Sequence, residues 1–438
     1  MISGRDIIYI SSIEWNFLWQ GHQEIALRLA AAGNRVLYIE NTGVRAPGLA
    51  DVSRVAFRLK RWARALASSG VREVAPNIFL CSPLVLPPFG PRWQRTLNRR
   101  IFLPLVRRAA RSLGMRDVLI WTYLPTDTTV DLIKQLRGPK SRVVYYCVAD
   151  FTQLTPHADQ LRRSERETVE LSDAVFTNCS ELTNLFARWN PNTHVFPFGV
   201  NLDAFPLEAA DASPTRDGAK RNGHPSPQAS QPTSTQTGGA ASLNDLPHPV
   251  VGYVGGLHRH VDFALLKRMA LARPGWSFVL VGSLQEEVGE LRGLPNVHLL
   301  GQQPHRELAE YIRRFDVCIV PYVNSIYTTT VVPTKINEYL AMGKPVVSTD
   351  LPTVTEFNRE HQVLLTATTE PEDFLRAVED ALALPKDAET IARRRRVASL
   401  GDWQARFAAM CALIETPQAG TGAREEKASE KPLAQARL

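Results

Sequence analysis

A chain of 438 residues is too long for one ordinary hydrophobic core, so two domains are expected. Its 44% hydrophobic and 22% charged composition is that of a soluble globular protein, and no stretch approaches the roughly 18 apolar residues of a membrane span. The apolar run in MISGRDIIYIS is too short for a signal peptide. Cys81, Cys147, Cys179, Cys318 and Cys411 are odd in number and far apart, which supports neither a disulfide framework nor a zinc site and fits a reducing cytoplasm. The formal charge of +7 is concentrated: residues 51–116 hold fourteen Arg/Lys against Asp51 and Glu73. Such a basic face suits an acidic surface, anionic lipid or nucleic acid.

Short β-branched runs alternate with amphipathic patterns, the signature of parallel α/β architecture. Strands are expected at 6–10, 35–39, 117–121, 143–147, 174–177 and 194–197, with a first helix from Gln20 to Ala32 stopped by Gly33. These make a first doubly wound domain over 1–205. Residues 206–247 include HPSPQASQPTSTQTGGAAS, which has no apolar period and reads as a flexible insertion. A second domain, 248–400, has strands at 250–254, 276–281, 296–300, 317–320 and 345–348. Helices near 262–272, 305–314, 334–342 and 371–383 separate them. The helical pattern at 401–416 should cross back to the first domain, and 417–438 reads as a frayed tail. Two Rossmann-like domains of this kind face each other across a cleft, and ligands bind at the carboxyl ends of their strands.

The densest chemistry lies between Val317 and Thr349. A strand ends at Pro321-Tyr322, a Thr328-Thr329-Thr330 loop follows, and a helix is expected from Pro333 or Thr334. Pro suits the first turn of a helix, and the exposed N–H groups there attract a pyrophosphate. Lys335 adds a full positive charge. Glu338, one turn on, is placed to accept hydrogen bonds from ribose hydroxyls, and Gly343 ends the helix. Lys335 and Glu338, three apart, also fit a solvated helix pair. Gly255 and Gly256 follow the strand at 250–254, and His258 and Arg259 after them can reach phosphate oxygens or sit on an exposed surface. Gln302 and Tyr322, at strand ends, suit base stacking or a core edge. No Asp-x-Asp-type metal motif stands at a suitable strand end, so no metal and no cofactor is expected beyond a nucleotide-sugar substrate.

The run PTKINEYLAMGKPVVSTD resembles the donor-site helix of group-1, family-4-like glycosyltransferases of the GT-B fold. VGYVGG, VLVG, NVHLLGQ and DVCIVPY match the same family in order, and so do QGHQ and NPNTHVFPFGVNLDAF in the first half. In style the chain is similar to bacterial polysaccharide-assembly enzymes of the teichuronic-acid and xanthan glucuronosyltransferase types. The resemblance implies a UDP- or GDP-linked sugar donor and a carbohydrate or lipid-linked acceptor. One position departs: many such enzymes have a glutamate seven residues before the one matched by Glu338, facing the transferred sugar, and here Thr330 stands there.

Asp150, after VVYYCVA, is the first candidate for the base on the acceptor hydroxyl; an Asp at this place is the base in the xanthan-type transferases. A helix cap is its other reading. His22 is the second candidate, against a satisfied core or surface histidine. Trp15, Asn16, Trp19 and Gln20 fit either acceptor contact or packing. The stretch PRWQRTLNRRIFLPLVRRAARSLG reads as a basic amphipathic helix for an anionic membrane, or as a solvated face over a core stripe. No nucleic-acid recognition motif accompanies it, so no nucleic acid is expected. The combined expectation is a glycosyltransferase of the cytoplasmic face of the membrane. Its rivals are a nucleotide-sugar epimerase of the same fold and a non-catalytic nucleotide-sugar or membrane-binding subunit.

Overall fold

The computed structural model describes residues 2–16, 19–40, 71–83, 85–207 and 240–415. Most of the expected insertion, the tail and the first part of the basic stretch therefore lie outside the described residues.

Two sheets form the frame. The first contains β1 (Asp6–Ile10), β2 (Arg35–Ile39), β3 (Val71–Ala75), β4 (Ile78–Cys81), β5 (Leu119–Thr122), β6 (Arg142–Cys147), β7 (Ala174–Thr177) and β8 (Thr193–Val195). Their spatial order is β3-β4-β2-β1-β5-β6-β7-β8, parallel throughout apart from the β3–β4 hairpin. The second contains β9 (Val250–Val254), β10 (Ser277–Val281), β11 (Val297–Gly301), β12 (Val317–Val320), β13 (Val346–Thr349) and β14 (Leu365–Ala367). It is fully parallel in the order β11-β10-β9-β12-β13-β14. Central strands such as DIIYI and VCIV are buried on both faces, which is why they read as continuous apolar runs.

The helices of the first lobe are α1 (Gly21–Ala31), α2 (Arg92–Leu97), α3 (Leu103–Ser112), α4 (Asp127–Leu136), α5 (Ala158–Leu171) and α6 (Ser180–Phe186). Those after β9 are α7 (Phe263–Ala272), α8 (Leu308–Arg313), α9 (Lys335–Ala341), α10 (Pro352–His361), α11 (Pro371–Ala383), α12 (Ala388–Leu400) and α13 (Trp403–Glu415). A π-helical turn, Asn98–Phe102, joins α2 to α3.

The sequence patterns miss the β3–β4 hairpin because β3 is a half-exposed edge strand with Arg72 and Glu73 outward, which leaves no apolar run to see. They also place a strand start at Asp117, whose φ of 46° is left-handed and keeps it out of β5. α10 and α12 bury few residues each, so their apolar stripes are weak.

The chain crosses between lobes twice, side by side. Val200 N donates to Gly401 O and Trp403 N to Val200 O. Val200 and Phe205 already belong to the second-lobe core, so the first crossing begins ahead of residue 205. After the second crossing, Trp403, Phe407, Met410, Cys411 and Ile414 of α13 pack into the first-lobe core with Ile2, Ile25 and Tyr38. α13 thus covers a face of the first sheet with residues from the far end of the chain.

Candidate functional site

The carboxyl ends of β9 and β12 are neighbours at the middle of the second sheet, and the loops leaving them are knitted together. Asp262 N donates to Pro321 O, and Val323 N donates to His260 O. Above them lies α9. It starts at Lys335, two residues later than its Pro333 would suit, so Pro333 precedes the cap instead of entering the first turn. Its end is as expected: Gly343 has φ 69°, with Gly343 N donating to Leu340 O and Lys344 N to Tyr339 O.

Lys335 is the chemical centre of this lobe. Only 8% of it is exposed, and Nζ donates to Tyr322 Oη at 2.5 Å. The ammonium lies 5.2 Å from the Tyr253 ring centre and 4.9 Å from that of Tyr322. Among the described residues no carboxylate pairs with it. Aromatic faces supply part of the stabilisation a buried cation needs, and the rest calls for an anion. His258 packs on the other side of Tyr322, ring centres 5.6 Å apart. Its pKa is lowered to about 4, first by burial and then by the charge of Lys335. The imidazole is therefore neutral at pH 7, and its Nδ1 accepts from His260 N.

Gly255 makes this approach feasible. It has φ 148°, and a Cβ there would stand 2.7 Å from Lys335 Cε. Behind it, a Cβ on Gly282 would stand 1.8 Å from Gly255 O. Gly256 is buried beside them, its carbonyl accepting from Tyr253 Oη. Tyr322, for which the sequence leaves base stacking and a core edge both open, is buried in the core with its hydroxyl on Lys335. Its ring supports the cation and is not open to a base. Arg259 is exposed on the same loop, with Nε 3.4 Å from His260 Nε2. Gln302 is exposed after β11, the edge strand, apart from the Lys335 group.

Glu338 is partly exposed and faces His305, Oε1 to Nε2 3.7 Å. His305 also meets Phe205 edge-on and lies 6.3 Å, ring to ring, from Trp19 of the first lobe. Trp19 Nε1 donates to Glu24 Oε2.

Thr330, expected beside the donor, is buried and bound to the first lobe. Its Oγ1 accepts from Asp150 N at 3.2 Å, and its carbonyl accepts from Asn178 Nδ2 at 3.0 Å. Asp150 stands where expected, after β6. Its Oδ1 accepts from Thr152 N, Thr152 Oγ1 and Arg162 Nη2, so it does cap the following turn. Oδ2 is less engaged, with Gln153 Nε2 at 3.4 Å. Arg162 also pairs with Glu165, a fully buried carboxyl whose pKa burial pushes up to about 7.

His22 has the surroundings of its other reading, a core histidine. It is 1% exposed, packed 3.9 Å from the Tyr123 ring, with Nε2 hydrogen-bonded to Ser12 Oγ at 2.9 Å. Burial lowers its pKa to about 3, so it is a neutral, buried histidine. Trp15 likewise is a packing anchor, edge-on to Tyr38. Sequence reasoning missed Tyr253, His305, Asn178 and Arg162. The first sits in a continuous apolar run where alternation gives no signal, and His305 and Asn178 acquire a role only through partners far along the chain. Arg162, twelve residues from Asp150, meets it only because the turn after β6 folds back on α5.

In the basic stretch, Arg95 makes a two-pronged pair with Asp131 on α4, and Arg107 Nη2 donates to Gln135 O. Trp93 and Ile101 remain 61% and 50% exposed. Around them Arg92, Arg100, Arg108 and Arg111 are exposed with no carboxylate partner among the described residues. Among those residues no helix is long and apolar enough to cross a membrane, and no three His, Cys, Asp or Glu side chains converge as a metal-ligand set.

Residues 248–383 match the family model described as glycosyl transferases group 1. The chain is 35% identical over 162 residues to TuaH of Bacillus subtilis (strain 168), provisionally named a teichuronic acid biosynthesis glycosyltransferase. That match spans 36% of this chain and 41% of TuaH. Among solved structures, sucrose-phosphate synthase from Thermosynechococcus elongatus matches with TM-score 0.63 and 21% identity, over 97% of this chain and all of that one. Anabaena HepE, in complex with UDP and glucose, matches with TM-score 0.61 and 13% identity over 94% and 99% of the two chains. Trehalose 6-phosphate synthase from Burkholderia multivorans matches with TM-score 0.61 and 14% identity over 98% and 100%. The chain has the GT-B fold, as its sequence led one to expect, and the match to the group 1 model falls on its second lobe.

Proposed function

We propose that this chain is a glycosyltransferase that moves a sugar from a nucleotide-diphosphate donor to a carbohydrate acceptor in cell-surface or exopolysaccharide assembly. One observation carries the reading: a buried Lys335 held by tyrosine rings and one hydroxyl, with no carboxylate partner among the described residues. A leaving diphosphate supplies the missing charge, and preorganised positive charge is what its departure requires. Arg259, exposed on the neighbouring loop, adds a second cation within the same lobe. Glu338 takes the ribose hydroxyls, exchanging its contact with His305 for them. HepE was solved with UDP and glucose, which makes UDP the first nucleotide to test, with GDP beside it.

For an inverting displacement, the acceptor hydroxyl oxygen forms a bond to the anomeric carbon. The bond from that carbon to the diphosphate oxygen breaks, and its electron pair leaves with the diphosphate. The acceptor proton goes to Asp150 through Oδ2, the less engaged oxygen, while Arg162 and Thr152 hold Oδ1. His22 takes no part. A membrane-facing, lipid-linked acceptor is favoured by exposed Trp93 and Ile101 set among unpaired arginines, the composition of an interfacial anchor.

The test is calorimetric titration with UDP and GDP, followed by transfer assays over a panel of their sugars. Lys335→Met should weaken nucleotide binding about a hundredfold or more. Asp150→Asn should keep nucleotide affinity and lose transfer. A donor converted to its epimer with no acceptor present, or equal nucleotide affinity in Lys335→Met, would overturn the assignment.

A further inference from the structure

The segment that leads from β12 to α9 leaves its own lobe and enters the other. Thr330 receives two hydrogen bonds from the first lobe, and Val332 packs against the first-lobe cluster that contains Phe89, Phe151 and Cys179. Three residues further on stands Lys335. The group that holds this segment is Asn178, at the carboxyl end of β7. One Nδ2 hydrogen goes to Thr330 O at 3.0 Å, the other to Val148 O at 2.7 Å, two residues before Asp150. Both partners are carbonyls that only accept, so the amide has one possible orientation.

Its Oδ1 is buried and has no hydrogen-bond partner among the described residues. Asn34, Asn98 and Asn190, also buried, use both their donor and acceptor atoms. Asn190 donates to Val169 O and Ser172 O while its Oδ1 accepts from Asn192 N. Asn178 is thus arranged to tie two loops of different lobes together, and it leaves its own acceptor unsatisfied in doing so. The unsatisfied acceptor costs stability, and what it accompanies is a tie between two lobes.

We infer that Asn178 is a positioning residue for sugar transfer. By pinning Thr330 to the loop that bears Asp150, it holds Asp150 and Lys335 in register across the cleft. The inference rests on the nucleotide-sugar transfer reading and adds to it the means by which the two lobes share one reaction. In this chain the Thr330 position contributes a strut where a carboxylate would contribute charge.

The experiment compares the full-length wild type with Asn178→Asp, which keeps the shape and turns a donor into an acceptor facing two carbonyls. UDP and GDP affinities are measured by calorimetry, and kcat and KM with whichever UDP- or GDP-linked sugar the wild type turns over. In Asn178→Asp, nucleotide affinity and donor KM should stay within about threefold while kcat falls at least about tenfold. Should that variant fail to fold, Asn178→Ser decides by the same split, since it removes both Nδ2 bonds and adds no charge. A kcat within about twofold of wild type in a folded variant overturns the inference, as does a parallel loss of nucleotide affinity and kcat, which marks a merely structural role. A wild type that binds neither nucleotide and turns over no sugar sinks the underlying transfer reading instead, a distinct result.

Discussion

At the scale of single residues, burial decides what each polar side chain can do. His22 and Asp150 look alike as sequence candidates, each a lone titratable residue near a strand end. The fold buries one completely and leaves the other at the seam between lobes. The histidine makes a pH prediction. Its folded pKa of about 3 lies below the ordinary 6.5, so its contribution to stability is intact above pH 6.5 and is lost as pH falls toward 3. Between pH 7 and 4.5 this is worth about 2–3 kcal/mol. Urea unfolding of His22→Gln at both pH values should show a drop smaller than wild type by about that amount. The variant should also keep transfer activity, and a variant as acid-sensitive as wild type would refute the assignment. Tyr322 teaches the same lesson. Its place at a strand end is legible from the sequence. Its burial under Lys335 is not, because it depends on α9 folding back over β12.

Elements are read well where their chemistry is local. The α9 stop at Gly343, the strands that lead into the site and the long helix α1 follow from turn residues and periodicity. Such signals need only neighbours within a few positions. The β3–β4 hairpin and the start of α9 are read less well, since an edge strand and a short helix carry too few apolar positions to mark them. Two glycines show how closely the elements pack at the site. Gly282→Ala would bring a methyl to within 1.8 Å of Gly255 O, which is backbone and cannot swing aside. The β9 and β10 ends must then part and move Gly255 away from Lys335. The expected result is a loss of about 1–3 kcal/mol in stability together with weaker UDP or GDP binding. Thermal unfolding and calorimetry on the same sample check both. Undiminished affinity would place the glycine loop outside the site.

The whole molecule is two parallel sheets joined by paired crossings, with α13 returning to complete the first core. This arrangement sets the basic stretch on the first lobe, the lobe that would receive the acceptor. Arg95 and Arg107 are used up internally, which narrows the available charge to the arginines near Trp93 and Ile101. Binding to vesicles containing anionic lipid should fall steeply with salt, and Trp93→Ser with Ile101→Ser should weaken it at least about tenfold, since two exposed apolar anchors are removed. Co-sedimentation across a salt series measures this. Equal binding to neutral vesicles, or no effect of the double variant, would count against a membrane-facing role.

By itself the sequence determined the α/β class, the strands of the second sheet from β9 to β13, and the Gly343 stop of α9. Each of these rests on residue spacing within one element, and spacing is written in the chain. Tertiary structure alone decided that Lys335 is buried against two tyrosine rings, that His22 is buried and neutral, and that Thr330 reaches across to Asp150 and Asn178. Those facts depend on burial and on contacts between residues up to 180 positions apart. Local patterns carry no record of such distances, because the chain has to close around them before they exist.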